Sequence, residues 1–315
     1  DRGVAAAPSL ENDLNRLTLF ATLLLAPAAA VSGMHALVVE GLAGDSAYAE
    51  QFERQSRTIA EALESMTDAG STELLRGGDA SREAVLERLG GLQQELDASD
   101  QFVLVLLGHG SYDDVEYKFN LPGPDLTGED IVAALDALPA GTQVLVNTSS
   151  ASGAMAEMAP ADGRIIILAT RSGVERHATR FGGYFAAALS DGAADTDKNS
   201  RISVAEAFRY AERQVTDYYE RNDQLATEHP LIDGGPADRV ALARLGGARP
   251  AVADSALAEL VAERAALNAE IEALRLARDG MPASDYQSAL LDRMLELARL
   301  EDAIEARQEA IDRRE

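Results

Sequence analysis

The 315-residue chain contains no cysteine, which excludes disulfides, thiolate metal sites and cysteine redox chemistry. It is short of positive charge: 28 Lys and Arg stand against 53 Asp and Glu, a formal net charge of −25. Nucleic-acid phosphates repel such a chain, and it does not suit a polybasic hold on a membrane surface. Its acidity suits a cationic partner or a divalent metal, or serves solubility alone. It also lacks a comfortable bilayer span, because the apolar stretch at residues 17–27 is too short for one. With Arg16 before it and Ala28 to Ala30 after it, that stretch reads as a leader. Residues 1–33 are therefore expected to be a secretory signal peptide cut near Ala30 or Gly33. The mature chain would be exported, periplasmic or extracellular, without a transmembrane span. An uncleaved anchor and a buried N-terminal helix are the other readings of the same residues.

Beyond residue 33, short apolar runs alternate with helical spacing, which suits a parallel sheet with helices on both faces. Strands are expected at 36–41, 73–75, 101–107, 142–147 and 164–169. Helices are expected at 49–66, 81–96, 128–138, 180–189 and 204–219. The Gly41 and Gly44 loop after the first strand fits no phosphate-binding fingerprint, since its spacing is wrong and no Lys follows.

Two strands end in chemistry. The run 101–107 leads into Gly108, His109, Gly110 and Ser111, and the run 142–147 leads into Thr148, Ser149, Ser150, Ala151, Ser152 and Gly153. Parallel strands deliver functional groups at their carboxyl ends. A base on one end and a hydroxyl on a neighbouring end make a hydrolase arrangement.

At these residues the chain resembles the legumain and caspase superfamily of cysteine peptidases, in which one strand ends in His-Gly and the next in a catalytic Cys within Cys-x-Ser-Gly. The resemblance runs from about His35 to Gly234 and includes the stretch 119–130 and the strand 164–169 that closes with Ala169-Thr170. It implies a three-layer caspase/legumain-like α/β sandwich with a mostly parallel sheet over residues 34–246. It implies His109 as base, with the N–H groups of Gly110 and Ser150 holding an oxyanion and Ser150 as nucleophile. It also implies Ser172, Glu175 and Arg176 as substrate contacts.

Ser150 stands where the family has cysteine. An alcohol is a much weaker acid than a thiol and needs a well-aligned base, so the exchange usually disables such a site. Ala47, Tyr48 and Ala49, where legumain carries Asn-Tyr-Arg, point the same way. Position 150 either carries serine natively, in a hydroxyl-rich turn, or stands in for a cysteine.

Residues 195–206 match the calcium loop of an EF-hand. Asp195, Asp197 and Asn199 supply oxygens at positions one, three and five, Arg201 a backbone carbonyl at seven, Ser203 a hydroxyl at nine and Glu206 a carboxylate at twelve. Ser200 replaces the glycine of the sharp turn, at a cost because φ must be positive there. Calcium is the expected ligand, in a structural role; an acidic helix-capping loop is the plainer reading. His229, before Pro230, reads as packing, and His35 and His177 carry no role.

The composition shifts after Gly246, and residues 247–315 read as a linker and an α-helical coiled-coil hairpin. Leu257, Leu260, Leu267, Ile271 and Leu274 form one seam, interrupted by Arg264. After a stop at Gly280 to Pro282, a second helix carries Leu290, Met294, Leu297, Ile304 and Ile311. Such a hairpin suits a homo-oligomer or a protein partner. Three functions follow: a catalytically impaired peptidase homologue that binds a peptide or protein segment, a working hydrolase with a Ser150–His109 dyad, and a calcium-stabilised scaffold whose hairpin mediates assembly.

Overall fold

The computed structural model describes residues 33–66, 70–245 and 282–312, together with positions 260, 263, 264, 267, 270, 271 and 274. The expected leader up to residue 32, the linker at 247–250 and Leu257 lie outside these residues.

The main sheet forms from runs dominated by Val, Ile and Leu. β1 (Met34–Glu40), β2 (Ser71–Leu75), β3 (Gln101–Leu107), β7 (Thr142–Asn147), β8 (Arg164–Leu168) and β10 (Leu231–Asp233) make a 6-stranded sheet in the order β10-β8-β7-β3-β1-β2. β1 pairs in parallel with β2 and β3, β3 with β7, and β7 with β8, while β10 closes one edge antiparallel to β8. Strands buried on both faces need no polar alternation, and β3 and β8 have almost none.

Alternate side chains feed two cores. Val38, Val103, Val105, Val144 and Ile167 pack with Phe52, Phe181 and Phe208 on one face. These aromatics come from α1 (Ser46–Glu64), α4 (Phe181–Ala188) and α5 (Val204–Arg221). Leu37, Leu104 and Leu145 pack on the other face with Leu89 and Ile131, from α2 (Arg82–Glu95) and α3 (Gly128–Asp136). The chain is thus a mixed α/β protein, with helices on both faces of a mostly parallel sheet. Asp45 caps α1, Ser81 caps α2, and Thr127 with Asp130 forms a capping box on α3.

Gly33 already belongs to this body. Its N–H donates to the Asp100 carboxylate at 2.8 Å and its carbonyl accepts from Gln101 N at 2.9 Å.

Three features were not expected from the sequence. A 3-stranded antiparallel sheet of β4 (Gly110–Tyr112), β5 (Tyr117–Phe119) and β6 (Leu126–Thr127) follows His109 directly. β9 (Arg201–Ser203) and β11 (Ala241–Arg244) pair antiparallel, and β10 reverses the sheet's direction at its edge. These strands are only two to four residues long, too short to show a periodicity in sequence.

Near the C-terminus, α6 (Ala283–Asp312) places Leu300 and Ile304 against Leu267 and Ile271, with Leu260, Leu290 and Leu297 beside them. Arg293 Nε lies 3.1 Å from Glu270. Among the described residues no helix is long and apolar enough to cross a membrane.

Candidate functional site

His109 follows β3 and Ser150 follows β7, so the two groups named from the sequence stand at the ends of adjacent parallel strands. Their side chains are engaged separately. The Ser150 hydroxyl donates to the Gly110 carbonyl at 2.9 Å, and Gly110 N–H points back at Ser150 Oγ at 3.3 Å. Ser150 is 4% exposed.

The His109 ring turns instead onto α1. It meets Tyr48 edge-on with ring centroids 4.6 Å apart and Phe52 at 5.1 Å. A small pocket there is also lined by Gln55, Thr148, Thr179 and Gly182. Burial lowers the His109 pKa below its ordinary value, and the Ala43 carbonyl and Asp45 offset this only in part. A neutral imidazole among aromatic rings is the form this setting favours.

Tyr48 corresponds to the tyrosine of the stretch that departs from the legumain pattern, yet it touches His109. Phe52, one helical turn on, gave no sign beyond helical spacing.

Gly110 is required by close approach. A Cβ on it would lie 2.6 Å from Ser149 Oγ, 2.6 Å from the Ser150 carbonyl and 2.9 Å from Tyr117 Oη. Beneath it, Tyr117 Oη and Ser149 Oγ are 2.7 Å apart, and Asn147 Nδ2 donates to Tyr117 Oη at 2.8 Å. Burial of Tyr117 pushes its pKa up to about 12, so the phenol keeps its proton and can serve as donor. This buried network fixes the turn that carries Ser149 and Ser150. Ala151, the next residue, has φ of 57° and is fully buried, so the backbone bends sharply just past Ser150.

The residues expected to touch substrate have other partners here. The Glu175 carboxylate lies 2.6 Å from His229 Nδ1 and also accepts from His229 N and Arg171 N. The Glu175 carbonyl accepts from Ala151 N at 2.8 Å. Arg176 pairs with Asp114 at 2.7 Å, and Ser172 packs against Gly153. His229, read from the sequence as packing, is thus a polar partner of this loop. Its neighbour Glu228 is 2% exposed and accepts from Arg180 N and Phe181 N at the start of α4 and from Tyr219 Oη of α5. Burial raises the Glu228 pKa, although these donors oppose the rise. No local motif announces either contact, because the partners lie 47 and 54 residues away.

The acidic loop sits between α4 and α5. Asp195, Asp197 and Glu206 bring carboxylate oxygens within 4.8 Å of one another. Ser200 adopts φ of 60°, the conformation expected at the glycine position. Burial first, and then Glu206 and Asp195, raise the Asp197 pKa, as crowded like charges must. Asn199 Nδ2 donates to Asp197 and Asn199 Oδ1 accepts from Arg201 N. Ser203 and Glu206 form the capping box of α5, and Thr196 also donates to Glu206. The three carboxylates could hold a metal ion, and the same bonds cap the helix without one.

No family model and no curated protein matches the chain. Among solved structures, it is similar to protein GSU0716 from Geobacter sulfurreducens, at TM-score 0.45 and 15% identity, covering 69% of this chain and 100% of that one. It is also similar to the Drosophila initiator caspase Dronc, at TM-score 0.42 and 14% identity, covering 78% of this chain and 95% of that one. Neither carries a residue role over to this chain.

Proposed function

We propose that the chain is an exported legumain/caspase-like peptidase homologue that has lost catalysis and binds a peptide or protein segment in the cleft between His109 and Ser150. The observation that carries this reading is the separation of the two groups. The proton of Ser150 Oγ is given to the Gly110 carbonyl, while His109 is held against Tyr48 and Phe52. A serine without an aligned base is a poor nucleophile at neutral pH.

One observation favours a working hydrolase instead. Gly110 N–H, which the resemblance makes an oxyanion donor, lies beside the attacking oxygen, 3.3 Å from Ser150 Oγ. The two readings divide on one experiment: a diverse peptide library incubated with the parent, Ser150→Ala and Ser150→Cys, read by mass spectrometry, with binding measured in parallel. Binding without cleavage by the parent, and cleavage by the Cys variant, is the expected result. Cleavage by the parent that Ala abolishes would establish a serine hydrolase.

Calcium in the 195–206 loop is proposed as a structural ligand. Asp195, Asp197, Asn199, Ser203, Glu206 and the Arg201 carbonyl would hold it. The C-terminal helices are proposed as a coiled-coil hairpin, a reading supported by the shared Leu267, Ile271, Leu300 and Ile304 cluster. A homo-oligomer or protein partner is proposed to use it.

A further inference from the structure

Residues 171–177 leave β8 and lie over the segment that follows Ser150. Five contacts hold them there. Gly153 packs so closely under Arg171 and Ser172 that a Cβ would strike their backbone, and Gly173 likewise sits on the Tyr112 ring. Ala151 N donates to the Glu175 carbonyl at 2.8 Å. Arg176 reaches Asp114, on the turn between β4 and β5, at 2.7 Å, and Glu175 reaches His229 at 2.6 Å.

What is missing from this segment matters as much. Apart from Gly173 none of its residues is buried, and its one large apolar side chain, Val174, is 71% exposed. Segments that bury little apolar surface and are held by exposed polar bonds open most readily. Arg176 and Asp114 are among the exposed groups, so their pair is weak and exchangeable. Ser150, one residue before the Ala151 that this segment holds, is nevertheless 4% exposed.

We propose that residues 171–177 form a strap that keeps the Ser150 cleft shut, latched by Arg176 to Asp114 and by Glu175 to His229. Release of the latches admits a peptide. The Glu175 and Arg176 side chains then become available as contacts for the incoming segment, and the Glu175 carbonyl lets go of Ala151 N. The device rests on the cleft reading above for its purpose, but not for its existence.

The absence of native cysteine makes the test direct. In Ser150→Cys the sole thiol reports access to the cleft through its rate of alkylation by iodoacetamide, with Ser190→Cys, at an exposed position, as the open reference. The strap predicts slow alkylation at position 150 and a rise of roughly two- to fivefold on adding Arg176→Gln, the scale set by losing one exposed ion pair. Asp114→Asn breaks the same latch from the other side and His229→Gln breaks the second. Hydrogen exchange at Ala151 N should quicken in step.

Alkylation at position 150 as fast as at position 190 would overturn the proposal. So would a rate that none of the three latch variants changes while circular dichroism stays that of the parent. Peptide affinity is measured on the same samples. An alkylation response without peptide binding keeps the strap and removes the peptide-binding reading, whereas binding without a response does the reverse.

Discussion

The His109 and Ser150 side chains are satisfied in different directions, the imidazole by Tyr48 and Phe52 and the hydroxyl by the Gly110 carbonyl. The imidazole gains aromatic contacts at Tyr48 and Phe52 and loses water. NMR titration should therefore place its pKa below the ordinary value of about 6.5. The unfolded chain takes the proton first, so His109's contribution to stability is present above the unfolded value. It is lost as pH falls through the folded one. Melting temperature across that window should depend less on pH in His109→Gln, and an unchanged dependence would contradict the setting described here. Gly110 makes the second residue-scale prediction. Alanine there meets the Ser150 carbonyl and Ser149 Oγ at 2.6 Å, and overpacking against backbone costs about 1–3 kcal/mol, measurable by denaturant unfolding. His109, Gly110 and Ser150 could be picked out in the sequence because small and polar residues end apolar strands. The orientation of their side chains could not, because Tyr48 and Tyr117 approach them through tertiary packing.

Single elements carry the next two effects. In the 195–206 loop the approach of Asp195, Asp197 and Glu206 and the positive φ of Ser200 were legible in the sequence, because both are set by spacing along the chain. Ser200 has φ of 60°, where glycine is at ease, so Ser200→Gly should stabilise the protein by up to about 1 kcal/mol. A melting temperature that drops instead would mean that the hydroxyl matters more than the strain. The raised Asp197 pKa works the opposite way to that of His109. Its stabilising contribution is full below the unfolded value of about 3.9 and is lost as pH rises through the folded value. Near neutral pH the loop then holds crowded carboxylates that a bound divalent cation would relieve. Added calcium should raise the melting temperature more near pH 7 than near pH 4, and a chelator should reverse the gain. At α4, Glu228 satisfies two backbone N–H groups of a helix start that has no cap of its own. Glu228→Ala leaves both unpaired, the Phe181 N–H in a buried setting, a loss of about 1–3 kcal/mol by chemical denaturation. Glu228→Gln, which keeps an acceptor, should lose less. That cap escaped the sequence reading because a residue 48 positions away supplies it.

For the molecule as a whole, the alternation of strand and helix was enough to give a mostly parallel sheet with helices on both faces, since continuous apolar runs such as β3 and β8 stand out from the helical spacing between them. The antiparallel edge at β10 and the small sheet after His109 depend on pairings of two or three residues, and nothing in so few positions fixes a partner. The C-terminal region poses the remaining question of scale. α6 turns Leu300 and Ile304 inward, yet Leu291, Met294 and Leu295 are 60%, 49% and 49% exposed. Three large apolar side chains at helical spacing on one face are costly to leave in water. If that face joins copies of the chain, light scattering coupled to size exclusion should show an oligomer that falls to a monomer in a Leu291→Glu, Leu295→Glu variant. A parent that is monomeric at every concentration would assign the face to a different protein, and the net charge of −25 would then favour a basic one.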